Sequence, residues 1–245
     1  MTGVILTGGK SSRMGQDKAL LSVGGVPLIR RILDVFEKLF DEILVVTNKT
    51  GRHAGPGYRE VTDIIPDCGP LGGIYTGLSY AKSERIFVAS CDLPFIKDSS
   101  VKIVIGEPVS YDIVVPDDGF RPHPLHAMYS TRCTPYIRKW LDNGFFNVTK
   151  FINEAEGLRV RKLQVSEMIT GDEDLKSFFN MNTQEDLTEA NKIASVDGKN
   201  PLPQGEGKLR CIEVFPPPLT GGGDACPELV EGGEGEQASS GKKEG

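Results

Sequence analysis

Short runs of apolar, β-branched residues recur at Gly3–Thr7, Glu42–Thr47 and Arg85–Ser90, with another at Tyr111–Val115, and none alternates cleanly with polar residues. A strand with one wet face shows that alternation, so these runs predict strands covered on both faces. Between the first two lies Pro27–Phe40, where Leu28, Ile29, Ile32, Leu33, Val35, Phe36 and Leu39 recur at helical spacing, with Pro27 suited to the first turn. Further helices are expected at Leu71–Ala81 and Lys97–Ile105. Strands alternating with helices imply right-handed βαβ units, and so an α/β chain built as a three-layer sandwich around a mostly parallel sheet.

From about Arg121 the order changes. The sequence predicts a strand at Leu125–Tyr129, helices around Thr131–Asp142 and Asn147–Glu156, strands near Leu158–Val165 and Phe178–Asn180, and a helix at Thr183–Ile193. This reads as a second half laid on the same sheet. The chain has 245 residues, which suits one domain over 1–194. Residues 195–245 are rich in Gly, Pro, Glu and Lys and poor in large apolar side chains, so they are expected to form a disordered tail.

The formal net charge of −6 argues against a nucleic-acid binder, which normally carries a basic excess. The five cysteines, Cys68, Cys91, Cys133, Cys211 and Cys226, are scattered and show no CxxC spacing. They suggest neither a disulfide framework nor a zinc site. No run approaches the ~18 apolar residues of a membrane span, and the chain opens on a strand without the pattern of a signal peptide. A cytoplasmic protein with neither membrane nor nucleic-acid partners is expected.

The strongest motif follows the first strand: Leu6-Thr7-Gly8-Gly9-Lys10-Ser11-Ser12-Arg13-Met14-Gly15-Gln16-Asp17-Lys18. Glycines at the carboxyl end of a strand let backbone N–H groups turn toward a phosphate, while Arg13 and Lys18 add fixed positive charge. The spacing is neither GxGxxG nor GxxxxGK[ST], which sets aside the ordinary dinucleotide fold and P-loop. Downstream, Asp63 precedes Pro66-Asp67-Cys68-Gly69-Pro70-Leu71-Gly72-Gly73, a loop able to offer backbone groups and a carboxylate to a base edge or ribose hydroxyl. Phe87-Val88-Ala89-Ser90-Cys91-Asp92-Leu93-Pro94 ends a buried strand on a carboxylate suited to magnesium. Ligands of open α/β sheets sit beyond the carboxyl ends of strands, so Asp92 and Gly8 should face one crevice. Cys91, beside Asp92, has no basic neighbour in sequence and reads as a packed thiol.

The run GGxxxRMGxDK resembles the signature of the molybdenum cofactor guanylyltransferase family, within the Rossmann-like nucleotide-diphospho-sugar transferase type of fold, and the likeness extends in order from Val4 to about Ile193. The family's Leu-Ala-Gly-Gly reads Leu-Thr-Gly-Gly here. The resemblance implies transfer of GMP from GTP to the terminal phosphate of molybdopterin, with release of pyrophosphate. It assigns catalysis to Arg13, Lys18 and Asp92, with Mg2+ on Asp92, and nucleotide binding to Leu6, Thr7, Gly8, Gly9, Lys18, Asn48, Asp63, Gly69, Pro70, Leu71 and Asp92. Asn180 and Asn182, in an Asn-x-Asn-Thr turn, are implied to line the acceptor side. Thr183 suits a helix cap with Asp186 three residues on. His123-Pro124-Leu125 stands where the family often reads Gln-Pro-Leu, so His123 departs from the pattern. His123 and His126 are read as structural or substrate-lining groups, since an ionised phosphate nucleophile needs no general base. The implied partners are GTP and molybdopterin, with transient contact to molybdoenzymes or other cofactor-biosynthesis proteins. Three alternatives remain open: CTP as donor, another phosphorylated acceptor such as a sugar or alditol phosphate, and a non-catalytic nucleotide-binding module.

Overall fold

A computed structural model of the chain describes residues 1–7, 21–48, 51, 55 and 57–197, all within one unit, Met1–Leu202. The expected tail beyond 197 and the glycine loop at 8–20 lie outside the described residues.

Among the described residues the strands of the main sheet are β1 (Thr2–Leu6), β4 (Glu42–Thr47), β5 (Arg59–Thr62), β6 (Arg85–Ser90), β7 (Ile113–Asp117), β8 (His126–Ser130) and β9 (Val160–Gln164). Their order is β5-β4-β1-β6-β8-β7-β9, and a small antiparallel hairpin pairs β2 (Ser22–Val23) with β3 (Val26–Pro27). Parallel pairs join β5 to β4, β4 to β1, β1 to β6 and β7 to β9. Only β8 runs antiparallel to its neighbours. This mostly parallel α/β architecture is the expected one.

The lack of alternation has a direct cause. Val4, Leu44, Val46, Ile86 and Val88 enter one layer, under α2 (Gly69–Tyr80), α4 (Thr134–Asp142) and α5 (Val148–Glu154). Their neighbours Ile5, Ile43, Val45, Phe87 and Ala89 enter the other, under α1 (Leu28–Phe36), α3 (Asp98–Ile105) and α6 (Val165–Met168). Both faces are apolar because both are covered. A third cluster seats α7 (Gln184–Asp197) against the hairpin and α1 through Val23, Leu28, Met181 and Ala190. No helix among the described residues is long and apolar enough to cross a membrane.

Several elements differ from expectation. Helix α1 stops at Phe36, and Pro27 ends the hairpin as the helix N-cap. The fourth strand runs Ile113–Asp117, two residues later than the apolar run suggested. The strand expected at Leu158–Val165 is Val160–Gln164, because Val165 opens α6. Phe178–Asn180 forms no strand. Lys176–Phe178 is instead a 3-10 turn, since the Ser177 N–H donates to Asp172 Oδ2 at 2.7 Å and its hydroxyl accepts from the Lys97 N–H at 3.0 Å. Edge strand β5 and the hairpin are additions, and α7 continues to Asp197.

Close approach to the central strand explains two groups of glycines. A Cβ at Gly77 or Gly73 would lie 2.9 Å from Val4 Cγ1 or 3.0 Å from Leu6 Cδ2, so these positions let α2 rest directly on β1. On the opposite face a Cβ at Gly3 would lie 2.6 Å from ring carbons of both Phe36 and Phe40. Those rings pack edge-on, with centroids 4.9 Å apart. Overpacking a close-packed core costs typically ~1–3 kcal/mol. Gly3→Ala should therefore lower unfolding free energy by about 2 kcal/mol in urea denaturation, and an unchanged midpoint would show that the two rings yield freely.

Candidate active site

Sheet order places the site. The chain leaves β1 through α1 to β4 on one side, then returns through α2 to β6 on the other, so β1 and β6 flank the point where strand order reverses. A crevice opens beyond the carboxyl ends at such a point. Backbone pairing continues past the last strand residues. The Thr7 N–H donates to Val46 O at 2.9 Å, Asp63 N–H to Thr47 O at 3.0 Å and Cys91 N–H to Leu6 O at 3.0 Å. These bonds hold Leu6, Thr7, Asp63 and the Cys91-Asp92 pair in one row along the sheet edge. Thr7 also turns its hydroxyl back to Val46 O at 3.0 Å. Asn48 is exposed at the end of β4.

Asp63 lies where β5 gives way to the turn before α2. One of its carboxylate oxygens is buried without a hydrogen-bond partner among the described residues, and burial, partly offset by Thr76, pushes its carboxyl up to about 6. Gly69 takes a left-handed φ of 60° and opens α2, with Pro70 beside it in the first turn. Cys68 at the N-cap contributes no side-chain cap. Leu71 is buried in the core under α2, so only its backbone faces the turn. Gly72 and Gly73, which end the motif and fall within the expected helix Leu71–Ala81, lie buried inside α2 and serve its packing.

On the other side of Asp92 a cleft of about 240 Å³ is lined by Asp92, Arg121, His123, Thr149, Phe178 and Asn180, among others. Asp92 is half-buried, and its carbonyl accepts from the Met181 N–H at 3.0 Å. Met181 is itself buried against Val23 and Leu28, so this contact pins the 180–182 segment to the strand end. Asn180 and Asn182 are exposed on either side of it. Asp186 Oδ2 accepts from the N–H groups of Asn182 and Thr183 at 2.7 and 2.8 Å, while Thr183 Oγ1 accepts from the Asp186 N–H at 3.1 Å. That is a reciprocal cap for α7.

Two histidines frame Phe178, with ring centroids 4.6 Å away for His123 and 5.1 Å for His126. His123 lines the cleft and meets Asp118 Oδ2 at 3.2 Å, and burial outweighs that carboxylate to lower its pKa. His126 is fully buried, with Nε2 2.9 Å from Ser100 Oγ and Nδ1 without a partner among the described residues. Cys91 is buried in the layer under α1 and α3, consistent with a packed thiol. Sequence reasoning missed Arg121, Thr149 and Phe178 as cleft residues. The Asp-Asp-Gly turn and the prolines flanking Arg121 and His123 were the available signal for a rigid loop there. Gly8, Gly9, Arg13 and Lys18 lie outside the described residues.

A parallel sheet with an acidic strand end beside its reversal point is the architecture of the Rossmann-like nucleotidyltransferases. The chain belongs to the MobA-like NTP transferase domain family, whose model matches residues 3–157. It is 35% identical over 192 residues to the molybdenum cofactor guanylyltransferase of Desulfosudis oleivorans, which spans 78% of this chain and 94% of that protein. The fold is similar to that of molybdopterin-guanine dinucleotide biosynthesis protein A from Archaeoglobus fulgidus, with a TM-score of 0.69 and 25% identity over 80% of this chain and 100% of that one. A Mycobacterium tuberculosis protein solved in complex with manganese shares the fold at a TM-score of 0.56 and 19% identity, over 78% of this chain and 97% of that one.

Burial pushes the His126 pKa down to about 3, from an ordinary value near 6.5 in the unfolded chain. Protonation therefore favours unfolding. The residue's contribution is present above about pH 6.5 and is lost as the pH falls toward 3, at up to ~1.4 kcal/mol per pH unit. Between pH 7 and pH 5 the wild type should lose about 2 kcal/mol more stability than His126→Phe in urea titrations. Equal losses would show that the ring is charged or hydrated in the folded protein.

Proposed function

We propose that the protein transfers the GMP part of GTP to the terminal phosphate of molybdopterin, forming the guanine dinucleotide form of the cofactor and releasing pyrophosphate. The observation that carries this reading is the row of Leu6, Thr7, Asp63 and Asp92 along one sheet edge, with a second cleft starting at Asp92 on the far side. Nucleotide on one side and acceptor on the other would meet at that carboxylate. The family membership and the named relatives support the choice of donor and acceptor.

In this reading the backbone of Leu6, Thr7, Gly8 and Gly9 holds the nucleotide, with Arg13 and Lys18 on its phosphates and Asn48 at the end of the neighbouring strand. Asp63 and the turn at Gly69, Pro70 and Leu71 face the base and ribose. Guanine N–H groups or a ribose hydroxyl reaching Asp63 favour its ionised form, which desolvation alone opposes. Asn180 and Asn182 bind the acceptor. Its phosphate oxygen forms a new bond to the α-phosphorus of GTP as the α–β phosphate bond breaks, and pyrophosphate carries away the electron pair. The nucleophile is already ionised, so no base is required, and burial keeps His126 in the wall of the cleft as a neutral group.

Asp92 fits a divalent ion. No cluster of three or more metal-ligating side chains exists among the described residues, yet magnesium is commonly held by one or two carboxylates together with substrate phosphates. Bound there, Mg2+ would neutralise charge on the phosphates. The protein of the same fold solved in complex with manganese supports the use of a divalent metal. We place the activity in the cytoplasm, where the buried thiols of Cys68, Cys91 and Cys133 stay reduced, with the product passed on by transient contact with molybdoenzymes or other cofactor-biosynthesis proteins.

The test is incubation of the purified protein with each of the four ribonucleoside triphosphates, Mg2+ and molybdopterin, with pyrophosphate and the dinucleotide product measured. GTP should give both products, at a rate at least about tenfold above CTP, since a base-reading site of this kind separates partners by ~1–3 kcal/mol or more. Preference for CTP would reassign the donor, and pyrophosphate formation independent of molybdopterin would reassign the acceptor.

A further inference from the structure

Among the described residues the lining of the cleft beside Asp92 contains one cation, Arg121, to which neither the motifs nor the family resemblance gave a role. Its backbone is held by the loop between β7 and β8. Asp118 Oδ1 accepts from the N–H groups of Phe120 and Arg121 at 2.9 and 2.8 Å, and the Asp118 N–H donates to Arg121 O at 3.2 Å. Asp117 Oδ1 accepts from the Gly119 N–H at 3.0 Å, and the His123 N–H donates to Pro116 O at 2.8 Å. Asp117 also bridges to Pro122, whose ring fixes φ just after the arginine.

The loop's own carboxylates are thereby engaged. Asp117 Oδ2 faces Lys162 Nζ at 3.7 Å and Asp118 Oδ2 faces His123 at 3.2 Å, and among the described residues no carboxylate pairs with the Arg121 guanidinium. A fixed backbone thus carries a guanidinium that pairs with no carboxylate among the described residues, in the lining of the same cleft as Asp92. Such an arrangement calls for an anion between them. A phosphate monoester carries nearly two negative charges at neutral pH, and a metal on Asp92 would be shared with the phosphates of GTP, so a further cation in the same cleft favours its binding. A planar guanidinium meets phosphate oxygens with two parallel N–H bonds.

We propose that Arg121 is an acceptor-binding residue whose guanidinium holds the acceptor's phosphate monoester in the cleft beside Asp92. The assignment rests on reading this cleft as the acceptor side. Arg121 acts through its charge and its planar hydrogen-bonding geometry. It orients the attacking oxygen toward the α-phosphorus, while the rest of the acceptor lies against His123 and Phe178.

Two measurements on wild type, Arg121→Lys and Arg121→Gln test this. In steady-state kinetics with saturating GTP, Arg121→Gln should raise the KM for molybdopterin about tenfold, as expected for loss of a charge-assisted contact, and Arg121→Lys should raise it less. The KM for GTP should stay within about twofold, and the melting temperature within about 1 °C, since the guanidinium carries no structural contact. In the second measurement phenyl phosphate is titrated into protein loaded with an α,β-methylene analogue of GTP and followed by NMR line broadening. Broadening should occur with wild type and be lost in Arg121→Gln. Phenyl phosphate binding through Arg121 in a wild type that does not turn over molybdopterin would keep the phosphate site and sink the choice of acceptor. Equal phenyl phosphate binding by wild type and Arg121→Gln, or a KM for GTP that rises as much as that for molybdopterin, would overturn the proposal.

Discussion

Parallel pairing of the central strand Thr2–Leu6 with a neighbour on each side is the constraint on which the rest of this molecule depends. Parallel strands need long crossovers, so helices must cover both faces, and every strand residue then faces a layer of apolar side chains. The same pairing puts all the carboxyl ends at one edge. Because the ladder runs on through Thr7, Asp63 and Cys91, the polar residues that follow each strand inherit the precision of the sheet. A carboxylate such as Asp92 is placed by backbone bonds on a rigid scaffold, which is what a positioning site needs.

The second half reuses this edge. Antiparallel β8 lets the chain return beside β6 and brings the 118–126 loop to the same end of the sheet as Asp92. The segment carrying Asn180 and Asn182 is then fastened at Asp92 by the Met181 N–H and at the hairpin by the Met181 side chain. One residue therefore couples the C-terminal helix, the hairpin that follows the glycine loop and the acidic strand end. Phe178, held between two histidines, anchors the same segment from its other end.

Much of this architecture is legible in the amino-acid sequence. Strands Glu42–Thr47 and Arg85–Ser90 match their apolar runs to the residue, because two-sided burial leaves such a run unbroken. Asp92 and Asp63 stand out because a carboxylate after a buried strand has few structural uses. Other features are hidden for physical reasons. Arg59-Glu60-Val61-Thr62 is an edge strand with one buried side chain, so it leaves no apolar run. Phe178-Phe179-Asn180 looks like a strand by composition, but Ser177 and Asp172 draw the backbone into a turn against α3. Gly73 and Gly77 fall inside the expected helix Leu71–Ala81, but the sequence does not reveal that this helix approaches Leu6 and Val4 closely enough to require them. Arg121 carries no signal of its own, because a lone charge does not disclose which cleft it faces.

Asp92 is the carboxylate at which nucleotide, metal and acceptor are proposed to meet. Asp92→Asn keeps the shape and removes the charge, so pyrophosphate release measured against magnesium concentration isolates that role. The expected result is a higher magnesium requirement and turnover lowered at least about a hundredfold, roughly 2.7 kcal/mol of transition-state stabilisation, with GTP still bound through the segments that follow β1 and β5. A magnesium curve and turnover matching the wild type would remove Asp92 from the chemistry and contradict the account at its centre.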